Sequence, residues 1–172
     1  MSEWESTKRE NFVRLKEIIS QYMMEFEIVY RNNLISHNRQ ATGNLINSIK
    51  TTVKSEDDSY FEVELQVADY WMYVENGRRA GKQPPKDAIL NWIRVKPILP
   101  RPDSKGRLPT ENQLAYLIGR KIAKYGTTGT HDIQMTIDQL NEKYINLMQK
   151  SIEEEWYDFQ LDILNDINLI RI

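Results

Sequence analysis

The sequence contains no cysteine and only two histidines among its 172 residues. The absence of cysteine excludes disulfide bonds, thiolate metal sites and cysteine nucleophiles. His37 and His131 stand far apart in polar segments, and the His131-Asp132 pair alone is too small a ligand set for a metal ion. We therefore expect two surface histidines and no metal site.

The residue pattern also predicts no catalytic centre. No serine lies in a Gly-x-Ser-x-Gly turn, which would expose a nucleophile. Paired carboxylates fall in a predicted turn at 57–58 and on a predicted helical face at 153–155, whereas acid–base chemistry needs them in a sheltered cleft. The 126–130 segment lacks the Lys-Ser/Thr of a phosphate-binding loop, so we interpret it as a turn that caps the preceding helix. Residues 126–132 as a whole are expected to be a loop or a short edge strand. We expect neither enzyme activity nor a cofactor.

Long apolar runs are missing as well. No run approaches the roughly 18 residues that a membrane span needs. The first residues are charged, whereas a signal peptide has an apolar stretch near its start. We expect a protein that has no signal peptide and no membrane span and that stays in solution.

Charged residues are plentiful, and the two signs are segregated along the chain. Residues 1–76 contain 8 Lys/Arg and 13 Asp/Glu, residues 77–125 contain 12 and 3, and residues 126–172 contain 3 and 9. The net charge of −2 conceals this separation. Segregated charge suits surfaces that meet complementary surfaces, because opposite potentials steer and register association.

Long helices are predicted at both ends of the chain, over 3–37 and from about 133 to 168, with a break near Ser151 left open. In both, apolar residues recur at spacings of three and four, the period of one buried helical face. The expected buried positions of the first helix are Phe12, Leu15, Ile18, Ile19, Tyr22, Met23, Phe26, Val29, Tyr30 and Leu34. Those of the last helix are Ile137, Leu140, Tyr144, Ile145, Leu147, Met148, Ile152, Trp156, Phe159, Ile163 and Ile167.

A β-hairpin is predicted between the long helices, with arms at 49–55 and 60–67 and a turn at 56–59. In the second arm, apolar and polar residues alternate, which predicts one buried and one wet face. The apolar positions of that arm are Phe61, Val63, Leu65 and Val67.

Four short helices complete the prediction. Thr42 and Asp69 are expected to cap the first two, Pro84-Pro85 opens the third, and Thr110 with Gln113 forms a capping box for the fourth. Gly77 and Gly126 are expected to end two of these helices, Gly77 in the left-handed conformation that commonly terminates helices. The expected apolar positions of the last two helices are Ile89, Leu90, Ile93, Leu114, Leu117, Ile118 and Ile122.

The expected architecture is an α+β fold. A small antiparallel sheet is flanked by the long N- and C-terminal helices, with short helices between them. We predict a single domain over 1–172, interrupted by an extended loop at 96–109 that contains four prolines.

Two strings, "ATGNLINSI" and "ADYWMYVENG", stand on either side of the predicted hairpin. They resemble the tailed-phage family of head–tail joining, neck and tail-completion proteins, which shows a "tGnLr.SI" turn, a hairpin and a "YA.yvE.Gt" helix. As turn and core formers, the matching residues are interpreted as a scaffold. They are Thr42, Gly43, Leu45, Ser48, Ile49, Tyr70, Tyr73, Val74, Glu75 and Gly77.

The resemblance implies a virion structural protein that is assembled in the host cytoplasm. It would form a ring of six or twelve copies in the neck, between portal and tail. Its implied partners are the portal and other neck or tail proteins, and phage DNA in the lumen of the ring is a further expected contact. Edge strands such as 60–67 could pair across subunits.

Basic side chains of the 78–86 and 96–109 loops are the expected interface residues. They are Arg78, Arg79, Lys82, Lys86, Arg101, Lys105 and Arg107. An alternative function is a small nucleic-acid-binding regulator that uses the basic 78–124 region, because basic loops bind phosphates through charge alone. The sequence shows no interleaved aromatic residues that would stack on bases, and it leaves the ring stoichiometry open.

Overall fold

The computed structural model describes residues 3–39, 41–57, 60–96 and 98–170. It confirms the predicted α+β architecture. The elements in chain order are α1 (Glu3–Ser36), α2 (Asn44–Ser48), β1 (Lys50–Asp57), β2 (Tyr60–Gln66), α3 (Trp71–Glu75), β3 (Gly77–Arg78), α4 (Lys86–Val95), α5 (Glu111–Tyr125), β4 (Thr127–Thr128) and α6 (Asp132–Ile170).

The chain folds into two compact units. Unit 1 comprises the described residues of Met1–Tyr30, Lys50–Gln66 and Gln134–Ile172. Unit 2 comprises those of Arg31–Ile49 and Val67–Ile133. The single-domain organisation expected from the sequence stays a prediction.

In unit 1, α1 contacts both the β1–β2 hairpin and α6. The Thr51 N–H and hydroxyl of β1 donate to the Glu27 carboxylate at 3.1 and 3.2 Å. On α6, Tyr144 meets Tyr22 edge to face with ring centroids 5.2 Å apart, and Lys143 donates to Glu25 at 2.6 Å. α1 is therefore the central helix of this unit.

The predicted buried face of α1 is confirmed. All ten of the expected apolar positions are buried or half-buried, whereas the apolar residues left out of that set are exposed wherever the structure describes their side chains. The exposed ones are Val13, Met24, Ile28 and Ile35. The 3.6-residue period therefore separated core from surface residues on this helix.

The hairpin is confirmed, but its alternation is incomplete. β1 and β2 pair antiparallel, with Lys50 opposite Gln66 and an irregularity between Ser55 and Asp57. Val63, predicted to be buried, is 42% exposed; in the part of the chain that the structure describes, β1 and β2 form a two-stranded sheet. The predicted turn at 56–59 lies partly outside the described residues.

In unit 2, α4 packs against α5 around a small apolar core. Ile89 and Ile93 of α4 meet Ala115 of α5, all three buried. The predicted apolar face of α4 is thus confirmed, but Leu117, predicted to face the core, is exposed. The buried positions of α5 are Ala115 and Gly119, small residues that let the two helices approach closely.

The predicted caps had mixed outcomes. The Thr110–Gln113 capping box is present with both of its hydrogen bonds, at 2.9 and 3.3 Å. Thr42 and Asp69 were wrong as N-caps, because α2 begins after Gly43 and α3 after Tyr70. Thr42 only accepts a long 3.4 Å bond from the Asn44 N–H. Such short helices begin where tertiary contacts place them, so local capping signals shift by a residue.

The predicted buried face of α6 was wrong beyond its first turns. The helix is continuous through Ser151, and its buried positions lie along one side. Asp132, Thr136, Leu140 and Tyr144 follow at steps of four, and Ser151 is buried seven residues further on. Three of these five positions are polar, so hydrophobicity placed the stripe on another face. The predicted core residues that are exposed are Ile145, Leu147, Ile152, Trp156, Phe159 and Ile163. The side chain of Ile167 lies outside the described residues.

The basic loops join these elements without long regular segments. The described residues 98–109 form no helix or strand, as predicted for the proline-rich loop, and Pro97 lies outside the described residues. The 126–132 segment, expected to be a loop or a short edge strand, contains the two-residue strand β4, which pairs with β3. None of the helices described is both long enough and apolar enough to cross a bilayer.

Candidate functional site

The two motif strings are joined by one serine. The Ser48 hydroxyl donates to the Leu45 carbonyl at 2.7 Å and accepts the Ala68 N–H at 2.9 Å. Leu45 and Ile49 beside it are buried. The turn before the hairpin and the helix after it therefore meet, although the whole hairpin separates them in sequence.

The second motif string is crossed by the 126–132 segment. Gly77 pairs with Thr128 and Arg78 with Thr127. Beyond this pairing, the Val74 carbonyl accepts the Thr130 N–H at 3.1 Å. We call this contact between 74–78 and 126–132 the crossing. It fixes the end of α3 against the chain that leads into α6.

The crossing depends on glycine because the two backbones are in direct contact. A Cβ added at Gly77 would lie 2.1 Å from the Thr127 carbonyl oxygen, and one at Gly129 would lie 2.0 Å from the Glu75 carbonyl oxygen. Gly77 also has a φ of +74°, which confirms the left-handed conformation predicted for it. Any side chain at these positions would force the two segments apart.

The buried Glu75 of the motif caps α6. Its carboxylate accepts the Ile133 N–H at 2.9 Å, and its backbone carbonyl accepts the His131 N–H at 3.1 Å. A carboxylate at this end also meets the positive end of the helix dipole. A motif residue thus sets the start of the longest helix, which sequence reasoning did not foresee.

Asp132, the first residue of α6, is fully buried and bound by His37 and Thr130. The His37 Nδ1 atom lies 2.5 Å from one carboxylate oxygen, and the Thr130 hydroxyl bonds to the other. His37 is exposed, as predicted for a surface histidine, but its bond to a buried carboxylate was not predicted. In a catalytic triad the hydroxyl bonds to the imidazole, whereas here both groups bond to the carboxylate. The cluster fixes the first residue of α6 within unit 2.

A basic pair lies at the end of α1, where the chain turns. Asn38 has a φ of 55°, and the Arg39 N–H returns to the Leu34 carbonyl at 2.8 Å, which closes the helix end. Lys96 donates to the Asn38 carbonyl. Burial lowers the pKa of Lys96, and the charge of Arg39 adds to this effect. The two cations therefore crowd one helix end.

Six of the seven predicted interface cations separate into two groups along α5, and the seventh, Lys105, is exposed on the 98–109 loop. Arg78 and Lys82 lie on the loop whose Gly81 N–H bonds to the Ala123 carbonyl near the end of α5, and Arg79 is exposed on the same loop. The Arg78 guanidinium donates to the Lys82 carbonyl at 2.7 Å, so it also shapes that loop.

The other group lies around the start of α5. Lys86, Arg101 and Arg107 line an open groove of about 970 Å³ together with Asp103 and Tyr116. Asn112 of this groove is eleven residues from Ala123, or about 16 Å along the helix at 1.5 Å per residue. The basic block therefore presents two sites, one at each end of α5.

Asp103 organises the loop beside the groove. Its carboxylate accepts the Lys105 and Arg107 N–H groups at 2.8 and 2.9 Å and pairs with the Arg107 side chain at 3.1 Å. The bond from the Arg107 N–H holds the pKa of Asp103 below its ordinary value. The Arg107 charge is thus partly neutralised by Asp103 within the loop. Lys86 and Arg101 are therefore the groove cations that are more available to a partner.

The groove also contains exposed apolar side chains. Leu108, Tyr116 and Leu117 line it, and all three are exposed. Tyr125, with Lys124 4.9 Å over its ring, is exposed at the other end of α5. The sequence analysis found no aromatics interleaved with the cations, because these tyrosines are distant from Lys86 and Arg101 in the chain.

The motif helix α3 exposes part of what the sequence predicted to be core. Tyr73 is 64% exposed, and Tyr70 and Met72 are exposed beside it, whereas Val74 is half-buried. The motif therefore combines a fixed inner side with an apolar outer side. Exposed aromatic and Met side chains are typical of surfaces that bind partners.

Sequence reasoning missed Asp132, His37 and Thr130. An Asp directly before an apolar periodic run is a helix-start signal that marks Asp132. No local signal marks His37, since its partner is 95 positions away. Among the described residues, no group of three or more His, Cys, Asp or Glu side chains could hold a metal ion.

Comparisons of the chain with protein-family models, curated proteins and solved structures found no significant match.

Proposed function

We propose that this chain is a structural protein of a tailed-phage virion. It is a ring-forming subunit of the neck, as head–tail connector or tail-completion protein, between portal and tail. The proposal starts from the resemblance of residues 42–77 to that family. It assigns the protein a geometric role, in which a rigid motif presents surfaces to neighbouring subunits.

One observation carries the proposal. The two motif strings share the Ser48–Ala68 bond, and the crossing ties the second string to the start of α6. Residues that resemble one family are thus connected in space, as residues with a common structural role would be. They hold no reacting groups in a cleft, so their role supports assembly.

Exposed apolar side chains support the same conclusion. Tyr70, Met72 and Tyr73 of α3 and the apolar residues of the basic groove are all exposed. Contiguous exposed apolar surface on a folded protein marks an interaction site. A ring subunit buries such surface against the next copy and against the rings above and below, with six or twelve copies expected from the resemblance.

Basic residues then provide complementarity to acidic partners. Arg79, Lys82, Lys86 and Arg101 are exposed, and unlike charges on two surfaces speed and register their docking. The portal and other neck or tail proteins are the proposed partners. Cations that face the lumen of the ring would contact the phage DNA.

The test is to locate the chain in particles. A phage whose copy of this gene carries a small affinity tag should show, by electron microscopy with a tag-binding label, density at the junction of head and tail. Phage without the gene should accumulate filled heads that are not joined to tails. Normally joined particles from the deletion strain would overturn the proposal.

The alternative function, a nucleic-acid-binding regulator, draws on the exposed Tyr116 beside Lys86 and Arg101, since bases stack on aromatic rings. Duplex and single-stranded DNA binding measured over a salt series separates the two functions. Sub-micromolar binding that collapses as salt rises, and that Tyr116→Ala and Arg101→Glu both weaken, would favour the regulator.

A further inference from the structure

The second half of α6 carries an apolar stripe that remains exposed. Ile145, Ile152, Trp156, Phe159 and Ile163 follow each other at steps of seven, four, three and four residues, so they lie on one side of the helix. All five are exposed, and the Trp156 and Phe159 rings are 5.7 Å apart. We call these five residues the α6 stripe. At 1.5 Å per residue it is about 27 Å long.

The α6 stripe has acidic surroundings. From Ser151 to Ile170 the sequence contains six Asp or Glu and no Lys or Arg. Glu142 and Glu153, eleven residues apart and both exposed, lie along the same edge of the stripe by helical periodicity. An amphipathic helix of this kind binds partners by laying its apolar side into a groove.

The groove at the start of α5 has the complementary character. Its Leu108, Tyr116 and Leu117 provide exposed apolar contacts, and Lys86 and Arg101 provide positive charge. The first turn of α5 lines the same groove, and the helix dipole adds positive potential there. At about 970 Å³ the groove is at the upper limit of small-molecule pockets, and its exposed walls suit a protein segment better.

We propose that the α6 stripe of one copy of this chain docks in the α5 groove of a second copy. The basis is that an acidic apolar helix and a basic apolar groove occur on the same chain, with unlike charges on the two surfaces. Because the two surfaces differ, each copy can give its stripe to one neighbour and its groove to another. Such head-to-tail contacts close into a ring, and the ring itself rests on the proposed function.

Disulfide trapping tests the contact directly, because the chain has no cysteine of its own. Chains carrying Tyr116→Cys and Trp156→Cys, one of them mass-tagged, are mixed and oxidised. We expect the mixed dimer to form at least tenfold faster than in a control mixture of Tyr116→Cys with Met24→Cys. Met24 is 60% exposed, as is Trp156, but lies on α1.

Two results of this experiment would overturn the proposal. One is a mixed dimer no faster than the control. The other is a dominant Trp156→Cys homodimer, which would show that two α6 stripes pair symmetrically. A separate oxidation of a single chain that carries both substitutions gives a third test. A disulfide within that chain, without dimers, would show that the groove receives its own helix and would also overturn the proposal.

Charge reversal provides a second measurement by sedimentation equilibrium. Lys86→Glu with Arg101→Glu, or Glu142→Lys with Glu153→Lys, should each weaken self-association at least tenfold, and combining all four should restore it. Arg107 is left intact because it holds the Asp103 turn. Arg120→Glu with Lys121→Glu, exposed on α5 outside the groove, is the matched control.

These outcomes separate the contact from the proposed function. Self-association that none of the reversals affects more than the control would overturn this contact while leaving a ring subunit intact. A trapped stripe-to-groove dimer from a chain that is absent from the neck of particles would keep the contact and overturn the function. Thermal melting of each variant checks that it folds.

Discussion

The two halves of α6 have similar amphipathic sequences but different surroundings. In the first half Asp132, Thr136, Leu140 and Tyr144 are buried along one line. In the second half Trp156 is 60% exposed, and the other apolar residues of the α6 stripe are exposed as well. Periodicity therefore shows which side of a helix is apolar, whereas only tertiary contacts determine whether that side is covered.

Replacing one aromatic residue of each half by Ala should have very different effects on stability. Tyr144 is 2% exposed and packs on Tyr22, so Tyr144→Ala should lower the free energy of unfolding by about 3–5 kcal/mol, as large aromatic truncations in cores do. Trp156→Ala should change it by less than about 0.5 kcal/mol in dilute protein, as surface substitutions do. Urea unfolding at low concentration measures both.

If both substitutions lower the free energy of unfolding by the same amount, the two halves of α6 do not differ in how their apolar residues are covered. A large cost at Trp156 in dilute protein would mean that the stripe is covered within the single chain. A cost that increases with protein concentration would instead show coverage by a second copy, because association stabilises the folded state by mass action.

Alanine substitutions at Gly77 and Gly106 test the backbone contact at the crossing, because the two glycines have nearly equal φ, +74° and +76°. Ala in this left-handed conformation costs about 1–2 kcal/mol at either position. Gly77→Ala should cost about 1–3 kcal/mol more, since its Cβ meets the Thr127 backbone whereas Gly106 faces open space. Thermal or urea unfolding compares the two.

Similar stabilities for Gly77→Ala and Gly106→Ala would show that the two backbones are not in contact at the crossing. If Gly77→Ala does not fold, the milder comparison is Gly129→Ala. Its Cβ would meet the Glu75 carbonyl oxygen without a left-handed φ. That variant isolates the contact from the backbone conformation.

The smallest effect concerns the pairing of the first half of α6 with α1 through Glu25. The hydrogen bond from Lys143, followed by that from Tyr144, lowers the pKa of Glu25 below its ordinary value of 4.5. A carboxyl whose pKa is lowered by folding adds stability above its unfolded pKa, and this is lost as pH falls through the folded value. In Lys143→Met, the melting temperature should therefore fall slightly less between about pH 5 and pH 3 than in the unsubstituted chain.

The control for this pairing is a double variant. Glu25→Gln should flatten the acid response as Lys143→Met does, and the two together should add nothing further, because they remove the same interaction. Additive changes in melting temperature would show that Lys143 and Glu25 act separately.

Local chemistry predicted much of the fold. The buried face of α1, the β1–β2 pairing, the Thr110–Gln113 capping box and the conformation of Gly77 all depend on residues close in sequence. For such features, periodicity, strand propensity and capping carry the information directly. The same reasoning found the α4 face but not the close approach of Ala115 and Gly119 on α5.

Distant contacts could not be predicted in this way. His37 bonds to Asp132 from 95 positions away, and the Arg78 N–H reaches the Thr127 hydroxyl from 49 positions away. The polar members of the buried line on α6 also hid its true face, since Asp132 and Thr136 do not count as hydrophobic. The basic residues were found by charge, but their division between the two ends of α5 requires the fold.

The crossing has a consequence for how this chain could diversify. Arg78 and Thr127 are paired, so the whole basic segment between them leaves and returns at one point. Closing a loop of this length costs about 3.4 kcal/mol of chain entropy, and that cost grows only slowly as residues are added. Insertions or exchanges within 82–122 lie inside the Gly81–Ala123 bond and away from the contact of Gly126 with the Arg78 carbonyl. They would therefore leave both ends where they are, which allows partner specificity to change by cassette replacement while the motif keeps its geometry.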